Sequence, residues 1–361
     1  MTEPEPRGGA GGSRDRVAAL LDGVDALPAL PPIARELMAM GDLEQADIGE
    51  VARLIELDPG LSAKVLAMCR AAHTGLGGRV GTVRHAAVML GVDCIRRLVL
   101  SAQVCEVLRE QAATLDDSGR TMGLGDDGFD RDGFWVHSVA VACASERLSR
   151  RLPGLAPPER AFVAGLLHGV GRLALELVAP RAMSRLMLLA SRAGISGAEA
   201  ERRVLGIDLH DAGRRLGERW GLPGDVIATM ASHDDSAGAP DEHADLVGIV
   251  ALAKWAARRY HLGWSGDWHD PGDGLAACAR VGLSRAAVRA MIPEIVSVCG
   301  RRMGDLGFWA AVEGPPEAAM AVLIAEQANR RLAAAQGKKG RPGVTVRQMP
   351  AMGEIPAPSS R

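Results

Sequence analysis

Apolar residues recur three or four positions apart along most of this chain, and that period restricts it to packed helices. In IGEVARLIELDPGLSAKVL, residues 48–66, Val51, Leu54 and Ile55 fall on one helical face. VDCIRRLVLSAQVCEVLRE repeats its apolar side chains at 95, 98, 99 and 102. No segment alternates apolar and polar residues as a half-buried strand would. The punctuation agrees. Asp47 and Glu50 form a capping-box pair, and Asp58-Pro59 supplies an N-cap with proline in the first turn. Gly75, Gly77 and Gly78 end the helix that Pro59 opens. Gly91 closes VRHAAVML, and Gly221 with Pro223 marks a sharp stop and restart.

Composition narrows the fold further. Aromatics are 3% of the chain, with one Tyr and four Phe, so Ala, Leu, Val, Ile and Met must build the core. Such a core favours helices over sheets. The predicted class is all-α, with later helices over 133–151, 158–178, 181–193, 196–205, 208–220, 223–232, 241–260, 284–300 and 315–336. The stretch 261–283 is expected to be a loop packed by its own tryptophans, Trp264 and Trp268.

Forty-two basic against 44 acidic residues leave a net charge of −2, too little for a global field that attracts nucleic acid. No aromatic-basic interleaving or helix-turn-helix pattern points to nucleic acid either. Six cysteines, Cys69, Cys94, Cys105, Cys143, Cys278 and Cys299, form no CxxC pair. They read as thiols of a reducing compartment, four of them as small buried hydrophobes. The N-terminus lacks a signal-peptide core, and the apolar runs are interrupted by His, Arg and Glu. A cytoplasmic protein with no membrane partner is the expectation.

Residues 1–22 read as an N-terminal tail and lead-in, with 1–13 disordered. A first helical lobe is expected over 23–112 and a second over 133–300. Between them, 113–132 is an acidic Gly/Asp-rich loop. Its DDGFDRDG superficially resembles a calcium loop but lacks the closing Glu. A C-terminal helix region follows over 301–336, and 337–361 is a disordered tail with a local charge of +4, five basic residues against Glu354.

The chemistry concentrates on four of the nine histidines. His137 shares a face with Ala140, Val141, Ala144 and Leu148 and so points inward. His168 follows Ala161, Ala164 and Gly165, small residues that let a second helix approach. His210 lies in the first turn after the N-cap Asp208, and His233 ends a helix ahead of Asp234-Asp235. Imidazoles converging from several helices are one way in which helical hydrolases hold divalent metals.

These blocks carry a resemblance. WVHS at 135–138, GLLHGVGRL at 165–173, VLGIDLHDAG at 204–213 and RWGLPGDVIATMASHD at 219–234 resemble the HD superfamily of metal-dependent phosphohydrolases. LPALPP at 27–32, IGEVARLIELDPGLSAKVL and VRHAAVMLGVDCIRRLVLSA are similar to the N-terminal half of HDOD proteins, the HD-related output domains. The resemblance covers roughly residues 23–300. It implies a two-lobed helical HDOD fold with an HD-like bundle as its second lobe. It also implies a signalling module that is generally non-catalytic.

By that resemblance His168-Gly169 occupies the HD dipeptide, so the bridging carboxylate is missing. Lys254, in IVALAKWAA, falls near the family's closing Asp, with Asp245 as an alternative. An ammonium in place of a carboxylate repels a divalent ion. No catalytic residue, resident metal or cofactor is therefore expected. His137, His168, His210 and His233 retain the capacity to hold a metal weakly.

The leading functional reading is a non-enzymatic bacterial signalling module acting on a protein partner. A metal-dependent phosphohydrolase or cyclic-dinucleotide phosphodiesterase with a degenerate site is the enzyme alternative. A nucleotide-binding sensor without turnover is the third, with Arg172 and Lys254 as candidate anion contacts. The sequence leaves oligomeric state open.

Overall fold

The computed structural model describes residues 11–39, 48–72, 81–107 apart from 93, 94, 97, 98, 101 and 105, 129–266, 269–305 and 316–335. Among these residues every regular element is a helix and none is a strand. The order is α1 (Gly11–Ala26), α2 (Pro32–Ala39), α3 (Ile48–Glu56), α4 (Pro59–Ala72) and α5 (Val83–Leu90). The helical residues described between 92 and 107 form α6. Then come α7 (Arg131–Arg151), α8 (Pro158–Leu167), α9 (Val170–Val178), α10 (Pro180–Ala193), α11 (Gly197–Leu205), α12 (Leu209–Trp220) and α13 (Gly224–Ser232). Two 3₁₀ turns, Ser236–Gly238 and Asp241–His243, lead into α14 (Ala244–Arg259), α15 (Leu275–Arg280), α16 (Arg285–Asp305) and α17 (Pro316–Ala335).

The buried apolar residues fall into two principal clusters. The smaller joins Leu37, Val51, Ile55, Leu61, Val65 and Val83 with Ile95 and Val99, the core of a lobe built by α3, α4 and α5. The larger is organised on α7, with α8, α14 and α16 packed directly against it. α6 serves both: Val99 joins the small core, and Leu100 and Val104 the large one. This is the predicted all-α, two-lobed arrangement.

Several boundaries differ from the sequence reading. Within the expected lead-in over 1–22, the residues from Gly11 are helical and belong to α1, including 11–13 of the segment expected to be disordered. Val17, Leu20, Leu21 and Val24 recur at helical spacing and pack onto the large core. α1 lies against α9 and α12, and its Asp25 pairs with Arg215. The Trp220 indole also donates to the Pro28 carbonyl at 3.1 Å. The chain's first helix therefore belongs with the second lobe. α7 starts at Arg131 rather than 133, because Asp130 caps it by accepting from the Gly133 N–H. The stretch 158–178 is two helices, interrupted at His168-Gly169, where glycine's weak helix propensity lets the ladder break. α15 lies inside the expected 261–283 loop, and α16 runs past 300 to Asp305. Trp264 packs on Phe129 at 5.0 Å between ring centroids, whereas Trp268 lies outside the described residues.

The Asp47 cap, the glycines at 75–78, the calcium-like segment up to residue 128 and the 337–361 tail also lie outside them. Cys143, Cys278 and Cys299 are buried free thiols. Pro158–Val178 is long and apolar enough to cross a membrane by composition, but 89% of that window is buried inside the helical core.

Candidate functional site

Four helices deliver the four histidines to one place. His137 lies on α7, His168 just after α8, His210 in the first turn of α12, and His233 just after α13. Their rings form a continuous file, with centroids 5.5 Å apart for His137–His168, 4.9 Å for His168–His233 and 4.7 Å for His210–His233. Close helix crossings make this convergence possible. A Cβ on Gly171 of α9 would overlap the Leu209 carbonyl oxygen and the Gly213 nitrogen of α12. Only glycine permits that approach, which brings His168 and His210 to either side of His233. Gly263, at φ +75°, turns the 261–266 loop back over the first turns of α7.

Backbone carbonyls set the tautomers. His137 Nδ1 lies 3.2 Å from the Leu262 carbonyl, His168 Nδ1 2.7 Å from Gly165 and His233 Nδ1 3.1 Å from Thr229. A carbonyl only accepts, so each Nδ1 carries the proton and each Nε2 keeps its lone pair. The Nε2 atoms of His137 and His233 are buried without a hydrogen-bond partner. Burial holds His137 and His233 well below the ordinary histidine range, with His168 opposing charge on the first and Lys254 on the second. Burial, with Lys254 adding to it, pushes His168 down to about 3. All three are neutral imidazoles. His210 differs. Burial disfavours its charge, yet contacts from Nδ1 to Asp208 at 3.2 Å and from Nε2 to Asp234 at 3.3 Å hold its pKa above the usual value.

His210, His233 and Asp234 bring one ligand atom each to within 4.8 Å of one another, a donor set of metal-binding type. The same carboxylate is already engaged. Lys254, 5% exposed, places Nζ 2.5 Å from Asp234 Oδ1. Partial desolvation would raise the pKa of Asp234, which is still partly exposed, but the ammonium holds it well below the usual carboxylate range. Burial also lowers the Lys254 pKa, with Asp234 opposing that shift. At the other end, Gly169 offers no ligand. A Cβ there would lie 3.3 Å from the Phe134 ring, so an aromatic edge borders the space a carboxylate would need. The orphaned imidazole nitrogens fit a divalent ion. The fixed ammonium and the missing carboxylate do not, and the set as a whole does not fit the dinuclear centre that the HD resemblance implies.

The sequence reading thus has His137, His168, His210 and His233 together, with Lys254 beside them. Asp245 lines a separate cleft with Arg160, Asp225 and His243. Arg172 requires a correction. It is 2% exposed and committed internally, with Nε 2.7 Å from Glu201 Oε1 and Nη1 2.7 Å from the Ser265 carbonyl. Lys254 is likewise held by Asp234, so neither cation is a ready anion contact. Asp234, noted in the sequence only as following His233, joins the site as a potential ligand and as the partner of Lys254. The sequence reading left out Glu201, which receives the Leu209 N–H at 3.0 Å and ties α11 to the start of α12. Nothing in the spacing of Arg172 and Glu201 announces that pair.

The model of the HDOD domain matches residues 27–236. An uncharacterized protein of Treponema pallidum (strain Nichols) is 23% identical over 241 residues, 67% of this chain and 44% of that protein. The chain thus spans less than half of that curated relative's length. An HDOD domain protein of unknown function from Geobacter sulfurreducens has a TM-score of 0.62 at 23% identity, covering 89% of this chain and 97% of that one. A structure from Marinobacter aquaeolei VT8, described as a candidate signal transduction protein, has a TM-score of 0.65 at 22% identity, covering 83% and 66%. One from Shewanella amazonensis SB2B, described as a candidate phosphohydrolase, has a TM-score of 0.58 at 25% identity, covering 81% and 98%. With matched helices, the converged histidines and a family model spanning more than half of the residues, the chain belongs to the HDOD domain family.

Proposed function

We propose that this chain is a non-catalytic regulatory module of bacterial signalling that acts by contacting a protein partner. The carrying observation is the 2.5 Å contact between Lys254 Nζ and Asp234 Oδ1 beside His210 and His233. A cation with a covalent tether holds the carboxylate that a metal would need. Two like charges at about 4–5 Å repel by a few kcal/mol per unit charge even at an effective dielectric near 20, and a divalent ion doubles that. An ion kept out by Lys254 would not be there to lower the pKa of a water and make a hydroxide nucleophile. The three neutral imidazoles then serve as packed, hydrogen-bonded core residues.

The test is metal titration with parallel assays. The unaltered chain is expected to bind manganese weakly or not at all and to leave cyclic dinucleotides and bis(4-nitrophenyl) phosphate intact with manganese, iron or magnesium. Lys254→Asp should raise manganese affinity without creating turnover. Adding Gly169→Asp requires the Phe134 ring to move and should still give little activity. Metal-dependent hydrolysis by the unaltered chain, lost in His168→Ala, would overturn the proposal in favour of the phosphohydrolase.

A further inference from the structure

α10 departs from a pattern kept by its neighbours. Arg203 of α11 pairs with Glu199 and Arg214 of α12 with Glu218 on the exposed surface, and Arg150 of α7 pairs with the largely buried Glu146, each four residues apart. The α10 sequence, PRAMSRLMLLASRA, has three arginines and no acidic residue. Arg181, Arg185 and Arg192 are all exposed, and among the described residues none forms an ion pair or side-chain hydrogen bond. At about 100° per residue they fall within an arc of about 40°, and Leu188 lies beside them on the same face. Leu188 is 42% exposed and its neighbour Leu189 47%. The opposite face, with Met183, Leu186, Met187 and Ala190, is buried in the lobe.

We propose that this outward face of α10 docks an acidic amphipathic helix of the partner protein. Three guanidinium groups with no ion-pair partner among the described residues, interleaved with two leucines, are complementary to carboxylates flanking an apolar stripe. The arginines lie about 6 and 10 Å apart in succession along the axis, so the partner's carboxylates are expected about one and two helical turns apart in succession. A second copy of this chain presented through the same face would set arginine against arginine. A lipid surface fits poorly, because a membrane-bound face carries its apolar side chains at the centre of the arc. Here the arginines occupy that centre, and no aromatic residue anchors it.

The proposal rests on the partner being a protein, but its test is independent of the metal titration. The full chain carrying Leu188→p-benzoylphenylalanine is photo-crosslinked in its native host, and the crosslinked peptide is sequenced. The expected product is an acidic amphipathic segment of another protein. A synthetic peptide of that segment should bind the unaltered chain and lose at least about tenfold in affinity to Arg181→Glu/Arg185→Glu/Arg192→Glu. The loss should be smaller with the three glutamine substitutions and absent in Lys254→Met, with melting temperatures confirming that each variant is folded. A basic or apolar crosslinked segment, a second copy of this chain, a lipid adduct or no crosslink would overturn the proposal. So would a peptide whose binding survives charge reversal.

Discussion

The two lobes bury different things. Around the small core, the described residues of the N-terminal lobe bury aliphatic side chains, and Gln103 of α6 is the one buried polar residue before His137. The HD-like lobe buries Arg172, Glu176, Glu201, Asp208 and Lys254 together with three histidines. Ionic groups gain little net stability from burial, and well-packed apolar residues often serve a core better. The small lobe is what packing alone produces. The HD-like lobe keeps the constraints of a site, and each of these buried charges is answered by another group of the protein.

Acid should separate the lobes most strongly. The buried histidines are neutral in the fold, and His168 charges only at about 3. The unfolded chain takes up protons below the ordinary value of about 6.5. Between those limits the unfolded state binds more protons, so stability falls as pH falls through that window. Asp208, held down to about 2 by His210 and the α12 N-terminus against the opposing effect of burial, adds a further loss below about 4. The described tryptophans Trp135, Trp220, Trp255 and Trp264 all lie in the HD-like lobe, so their fluorescence reports its unfolding. A pH series should lose that signal before helical circular dichroism is fully lost, and His168→Gln should flatten the profile. Loss of both signals together, unchanged by the substitution, would break the contrast.

Removing one partner of the buried Arg172–Glu201 pair should come next. Arg172→Met is expected to cost about 3–5 kcal/mol, read by urea denaturation, because it strands a buried carboxylate. Arg172→Met with Glu201→Leu should recover much of that loss. Leu61→Ala in the small core should cost about 3 kcal/mol through lost burial and a cavity, with no dependence on pH between 4 and 7. The smallest effect belongs to Thr82, whose hydroxyl caps α5 by accepting from the His85 N–H at 3.1 Å. Thr82→Ala should cost about 1 kcal/mol.

Those differences also mark what the sequence made legible. Helical period and capping residues placed most helices, because both are local properties of a few consecutive side chains. The histidines could be grouped only through resemblance, since they are 31, 42 and 23 residues apart. The Lys254–Asp234 contact joins α14 to the segment after α13 and has no local signature. Arg172 looked available because an arginine's partner cannot be seen when it lies 29 residues away on another helix. α1 was hidden by a Gly-rich start, and its burial depends on the surface that α9 and α12 offer it.

The tethered ammonium at Asp234 has a physiological corollary. A lobe that needed a metal to neutralise this carboxylate would lose stability whenever a cell ran short of manganese or iron. Here the counter-charge is synthesised with the polypeptide, in fixed stoichiometry, and cannot be chelated or exchanged for a wrong ion. On the proposed reading, a module built this way would fold to the same extent in metal-starved and metal-replete cells.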